Sequence, residues 1–208
     1  LTNKMKKILT SLLVLFSLTV NSQVIDWDNF DSCIADSLLF VKINEFRDSL
    51  GLSQLIYSKV IYNNISKDVS QLQSDNMRCY HPYHPNGKTK LNSIKKQLKI
   101  ELDSIMGKTT YGKFPLGYYE VCSKLVPVRI SSWGYTTRLG KIKTYDDLIQ
   151  KSIRAWVVYS PSHRKILVGE FSNKKIMLAA GSIVMGKLNL STSYTGMYVS
   201  FQIVPLLD

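Results

Sequence analysis

A chain of 208 residues with 27 Lys and Arg against 15 Asp and Glu, a formal net charge of +12, has room for one domain with a sizeable core. Its basicity favours anionic surfaces such as phospholipid headgroups, acidic glycans or nucleic acid. It serves solubility equally well, and nothing in the chain signals specific nucleic-acid reading. Three cysteines, Cys33, Cys79 and Cys122, are too few for a disulfide scaffold, and no pair has the short spacing of a structural zinc site.

In chain order, Met5-Lys6-Lys7, the 13-residue apolar run Ile8 to Val20 and Asn21-Ser22-Gln23 form a secretory signal-peptide pattern. The run is shorter than the roughly 20 residues of a membrane span. The first cysteine, Cys33, does not follow it directly, which argues against a lipid anchor. We therefore expect a leader at 1–23, an N-terminal extension at 24–36 and a single domain at 37–208, secreted to the periplasm or outside the cell. Loss of Lys4, Lys6 and Lys7 with the leader leaves the chain at +9.

The spacing of Leu38, Leu39, Val41, Ile43, Phe46 and Leu50 predicts a helix from Ser37 to Leu50, stopped by Gly51. After the link 52–55, a second helix is predicted from about Ser58 to Met77 on Val60, Ile61, Ile65, Val69 and Leu72. It ends before Tyr80-His81-Pro82-Tyr83-His84-Pro85-Asn86-Gly87, where two prolines and Asn-Gly forbid regular structure. A third helix is expected from Lys90 to Met106, with Leu91, Ile94, Leu98, Leu102 and Ile105 on one side. Its lysines suit solvent or a membrane surface.

Residues 107–117 read as loop, 118–130 as an edge strand or two short strands broken by Pro127, and 131–143 as loop. Thr144 with Asp146 and Asp147 marks a helix start, and Leu148, Ile149, Ile153, Trp156 and Val157 give that helix its buried face. Ser160 is read as the cap of the next helix, with Pro161 in its first turn. Two apolar runs, 176–185 and 197–204, predict a terminal strand pair. There is no internal repeat, low-complexity tract or second-domain linker.

Chemistry concentrates on three histidines, His81, His84 and His163. Ser160-Pro161-Ser162-His163-Arg164 displays His163 at a helix start, while His81 and His84 share the Pro-rich turn. Two neutral imidazoles and a carboxylate can hold zinc with a position left for water; the bland alternative is local packing and capping. Ser160 and His163 at a helix start also raise a serine-hydrolase reading, which further requires an orienting acid and an oxyanion hole. A bridge between Cys79 and Cys122 would tie the His81 segment to the Glu120 segment. Three buried thiols are the alternative.

Four features together resemble the secreted CAP superfamily of cysteine-rich secretory proteins, antigen 5 and plant pathogenesis-related 1 proteins, in its bacterial SCP-like branch. They are Asn44-Glu45-Phe46-Arg47 followed by Gly51-Leu52 and Leu55, a histidine after the second helix, Glu120 in a strand, and Ser160-Pro161-Ser162-His163-Arg164 before a terminal hairpin. The resemblance covers roughly residues 38–204. It implies an α+β fold, a three-layer α-β-α sandwich with a central, mainly antiparallel sheet.

It further implies a central cleft where His81 or His84, Glu120 and His163 are the candidate metal ligands, for Zn2+ or another divalent cation. The family's second acid falls on or near Ser160, and Tyr119 and Val121 flank Glu120 where the family has Gly and Asn. Two functions follow as expectations. One is a non-catalytic extracellular module binding a lipid, glycan or protein, with an anionic membrane surface as a further partner. The other is a divalent-metal-dependent hydrolase of peptide or ester bonds, with Glu120 and His163 catalytic.

Overall fold

The computed structural model describes residues 23–27, 29–82, 87–106, 118–125, 142–170, 177–187 and 194–205. The expected leader, His84, Pro127 and the predicted loops at 107–117 and 131–141 lie outside them. Within them the chain is a mixed α and β protein of five helices and one four-stranded mixed sheet. None of these helices is long and apolar enough to cross a membrane.

Helix α1 spans Ser32–Ser49, starting earlier than the predicted Ser37 because the Asp31 side chain accepts the N–H groups of Cys33 and Ile34. The residues before it are tied down. Val24 bridges Thr144, and the Ile25 N–H donates to the Lys143 carbonyl. Gly51, at φ +68, turns the chain out of α1.

Two side chains of α1 then fix the link after it. Asn44 pairs both ways with the Leu55 backbone, at 2.8 and 3.1 Å. Arg47, almost fully buried, donates from Nε and Nη2 to the Ser53 carbonyl and from Nη1 to the Leu167 carbonyl at 2.6 Å. The link leads into β1, Ile56–Tyr57, a strand the sequence reading assigns to no element because two residues show no periodicity.

Helix α2 is built from Lys59–Ile61, a π turn at Tyr62–Ser66 and Lys67–Asp75. Ser58 caps it, and Glu101 of the next helix accepts both the Ser58 hydroxyl and the Val60 N–H. The extra residue of a π turn rotates the downstream residues around the helix axis. Here Ser66, Ser70 and Gln73 end up buried. Helix α3, Gly87–Met106, begins before the predicted Lys90, and it buries Leu91, Ile94, Leu98 and Leu102 while Ile105 is exposed.

The remaining elements are β2 (Tyr119–Leu125), α4 (Tyr145–Val158), α5 (Pro161–Val168), β3 (Met177–Lys187) and β4 (Tyr194–Pro205). Thr144 and Asp147 close a reciprocal capping box at α4, as the sequence signals. The sheet order is β1-β3-β4-β2; β1 runs parallel to β3, and the other two pairings are antiparallel. The predicted terminal strand pair is β3 with β4.

Alternate sheet residues feed two apolar clusters. Val121, Ala179, Ile183, Val199, Phe201 and Ile203 pack with α1, α4 and α5 around Leu39, Ile43, Leu148, Ile149 and the fully buried Trp156. Leu178, Ala180 and Val204 pack with Ile61, Ile65 and Val69 of α2 and the buried stripe of α3. Gly181 leaves room for Leu39 of α1 and Phe201 of β4, since a Cβ there would lie 2.6 Å from Phe201 and 2.7 Å from Leu39.

Because β1 is so short, β3 has no strand partner on that side at Ile183 among the described residues. Asp36 of α1 takes the place of one, accepting the Ile183 N–H at 2.6 Å and the Tyr62 hydroxyl at 2.7 Å. Burial raises the Asp36 carboxyl to about 7, against the pull of these hydrogen bonds.

The folded chain thus keeps a proton that the unfolded chain releases near pH 4. Asp36 favours folding most below that pH, and its contribution is lost as pH rises to about 7, with a slope of about 1.4 kcal/mol per unit. Urea unfolding at a series of pH values should show this fall, and Asp36→Asn should flatten it; an unchanged slope in the variant would assign it to other groups. For Arg47→Met, loss of the carbonyl contacts should cost about 3 kcal/mol in the same measurement. A cost within about 0.5 kcal/mol, typical of surface positions, would show those contacts to be dispensable.

Candidate functional site

The site forms where the chain leaving α2 folds back along the edge of the sheet. Helix α2 ends at Asp75 with Asn76 as its C-cap, and Met77 takes a left-handed conformation at φ 53, with the Arg78 N–H donating to the Gln73 carbonyl. That closure normally selects glycine, so Met77 is a strained choice held by its surroundings. The reversal sends Cys79, Tyr80 and His81 alongside β2.

Three contacts at two-residue spacing hold this segment to one face of β2. Lys124 Nζ donates to the Met77 carbonyl at 2.8 Å, Cys79 Sγ lies 2.7 Å from Cys122 Sγ, and His81 Nδ1 lies 2.8 Å from Glu120 Oε1. Since alternate residues of a strand share a face, Glu120, Cys122 and Lys124 form one row. Gln73 Nε2 fixes the segment from behind by donating to the Tyr80 carbonyl at 2.6 Å. Arg78 stacks over the Tyr80 ring.

His163 arrives from a different part of the chain. It is the third residue of α5, in the first turn begun by Pro161, and α5 packs against β2 and α4. Its ring centroid lies 6.3 Å from that of His81, with the planes at 71°. His81, Glu120 and His163, predicted from distant segments, therefore converge; His84 lies outside the described residues.

Ser160 holds the N-cap position, but its hydroxyl makes no capping bond and instead lies 3.3 Å from the Ser162 hydroxyl. The cap expected of its side chain is thus not formed. The serine-hydrolase reading gains no support, since this contact does not orient the hydroxyl toward His163.

The two imidazoles have opposite proton demands. The Glu120 carboxylate, itself almost fully buried, holds His81 above the ordinary histidine range against the opposing effect of burial. Burial, followed by the His81 charge, holds His163 below it. The two rings are thus pushed apart, His81 toward holding its proton and His163 toward the neutral form, by their different environments. The thiols are likewise unequal. Their mutual hydrogen bond lowers Cys79 and raises Cys122.

Sequence reasoning missed Gln202 and Gln73. Gln202 stands opposite Glu120 on β4, wholly buried, and neither of its amide atoms has a hydrogen-bond partner among the described residues. Gln73 Oε1 is also without one. Their only sequence signal is a polar residue at a core-facing strand or helix position, which periodicity reads as a break in the pattern. The ligand atoms of His81, Glu120 and Cys122 lie within 4.8 Å of one another. Cys122 thus joins the candidate donors, and His163 stands just outside that set.

Comparison with protein-family models, with curated proteins and with solved structures finds no significant match to this chain. Proton-detected titration of the histidine rings should give His81 a midpoint above, and His163 one below, the ordinary value of about 6.5. Glu120→Gln should lower the first and raise the second as the His81 charge disappears. Midpoints that stay put in this variant would show the pair to be uncoupled.

Proposed function

We propose that the chain is an exported, non-catalytic binding module of the CAP type, built as a three-layer α-β-α sandwich. The cleft containing His81, Glu120 and His163 receives a polar or anionic group of a lipid, glycan or protein. The convergence of these three side chains from three chain segments carries this reading. The separate apolar clusters on the two sheet faces and the resemblance in motif order support the fold. Net positive charge favours an anionic ligand, including a membrane surface.

The geometry favours binding over bond cleavage. His81 uses Nδ1 on Glu120, so the carboxylate orients an imidazole and is not free to serve as base for a substrate. The Ser160 hydroxyl is engaged with that of Ser162. The leader-like N-terminal pattern supports export to the periplasm or the outside.

The close set of His81, Glu120 and Cys122 favours a second reading as a divalent-metal hydrolase. Imidazole, carboxylate and thiolate suit zinc, and three ligands leave a position for water. Zinc bound there would supply an activated water for peptide or ester hydrolysis. The Glu120 contact would fix the His81 tautomer, and His163 would be the neighbouring neutral base.

Vesicles of phosphatidylglycerol in phosphatidylcholine should co-sediment the protein at low salt and release it across a salt series. Absent or salt-indifferent binding removes anionic lipid from the ligand classes. On the binding-module reading, zinc chloride elicits no turnover of model esters or peptides. Zinc-dependent turnover lost in His81→Ala would establish the hydrolase instead.

A further inference from the structure

We propose that Cys79 and Cys122 form a reversible dithiol–disulfide pair that exchanges with external disulfides through Cys79 and, when bridged, locks His81 against Glu120. The two sulfurs lie 2.7 Å apart, on segments separated by 43 positions in sequence. A disulfide requires about 2.05 Å between sulfurs and side chains that face one another. The second condition is met by register, since Cys79 opposes Cys122 in the row that also sets Met77 against Lys124 and His81 against Glu120.

The sulfurs differ in access. Cys79 is exposed and Cys122 is buried. An external reagent therefore meets Cys79 first, and Cys122 can reach only Cys79. That division into an accessible attacking thiol and a buried resolving thiol is what exchange requires. It also predicts reversibility, because an external thiol regains entry at the same exposed sulfur.

The steps balance with a low-molecular-weight disulfide, RSSR, as oxidant. The deprotonated Cys79 sulfur attacks one sulfur of RSSR, the R–S–S–R bond breaks, and the released thiolate takes a proton as RSH. Cys122 then loses its proton and attacks Cys79 Sγ, expelling the second RSH. Two protein thiols are oxidised to one disulfide by two electrons, and one RSSR is reduced to two RSH.

The bridge would sit between the other two contacts of the row and hold His81 in register with Glu120. It would also withdraw the Cys122 thiolate from the donor set, so bridge and metal compete for one sulfur. Cys33, the third thiol, is exposed on α1 and serves as an internal control.

The full chain, equilibrated at pH 8 with EDTA in mixtures of reduced and oxidised glutathione, would be quenched with acid, alkylated with N-ethylmaleimide in denaturing urea so that the buried Cys122 also reacts, and weighed intact. Reducing mixtures should yield three maleimides and oxidising mixtures at most one, with Cys33 alkylated or capped by glutathione, a Cys79–Cys122 cross-link in the peptide map and one midpoint from either direction. Cys122→Ser should stall as a glutathione adduct on Cys79, and the bridged wild type should melt roughly 10 °C above the reduced form.

Hydrogen exchange of the 78–82 backbone should slow in the bridged form; an unchanged rate would overturn the lock on His81. Three maleimides at every ratio, or a persistent wild-type adduct without a cross-link, would overturn the pairing. A cross-link surviving the most reducing mixture would make the bridge a fixed staple and overturn reversibility. The wild-type masses decide the pairing even where Cys122→Ser fails to fold. EDTA keeps the result independent of metal binding.

Discussion

A single buried guanidinium, that of Arg47, sets the frame within which the other elements take position. Burial lowers its hold on the proton, yet arginine remains charged in proteins, so its N–H groups must find oxygen. They find the carbonyls of Ser53 and Leu167. The first fixes the link that lays β1 beside β3. The second belongs to the last turn of α5, where carbonyls have no partner within the helix. One side chain of α1 thereby relates the parallel edge of the sheet to the helix that carries His163. Gly169 completes that end of α5 at φ +79, the only kind of residue that turns there without strain.

The opposite edge of the sheet is organised by β2. Among the described residues β2 pairs with β4 alone, and it presents its side chains in a regular row on which the chain leaving α2 is docked by a cation, a sulfur pair and a carboxylate in succession. The left-handed Met77 is the geometric condition for this docking, because a continued helix would carry Cys79 and His81 away from β2. A strained backbone of this kind persists only where surrounding contacts over-determine it. The hydrogen bonds from Gln73 to Tyr80 and from Lys124 to Met77 supply that excess.

Much of this was legible in the sequence, for identifiable reasons. The stripes of α3 and α4 and the apolar runs of β3 and β4 have simple periods, and Thr144 with Asp147 is a local signal that needs no tertiary contact. The Asn44 to Arg47 motif was legible as a motif but not as a mechanism. Its meaning lies in the carbonyls of Ser53, Leu55 and Leu167, and carbonyls leave no mark in sequence. Strand β1 escaped because two residues have no period, and the start of α1 because Asp31 lies outside the apolar stripe. Ser160 misled in one respect: it stands at the N-cap position its local signal marks, but its side chain makes no capping bond. Of the site residues, His81, Glu120 and His163 were found as residue types and the Cys79–Cys122 pairing as one of two alternatives, whereas Gln73, Gln202 and the place of Cys122 among the donors required the register of β2 to be known.

The character of the site comes from placing unlike environments side by side. His81 touches a buried carboxylate and is driven toward imidazolium; His163, on a packed helix start, is driven toward the neutral ring. Ligation of one cation by both rings would need each of them neutral, whereas Glu120 favours the charged form of His81; a neutral His81 would donate Nδ1–H to Glu120 and keep Nε2 for the cation. A bound anionic group makes the reverse demand and is served by a charged His81 with a neutral neighbour. The buried Gln202 amide opposite Glu120 adds a donor and an acceptor with no other claim on them among the described residues. The opposed proton demands of the two rings and the unpartnered Gln202 amide are the features on which the proposed recognition of a polar or anionic group rests.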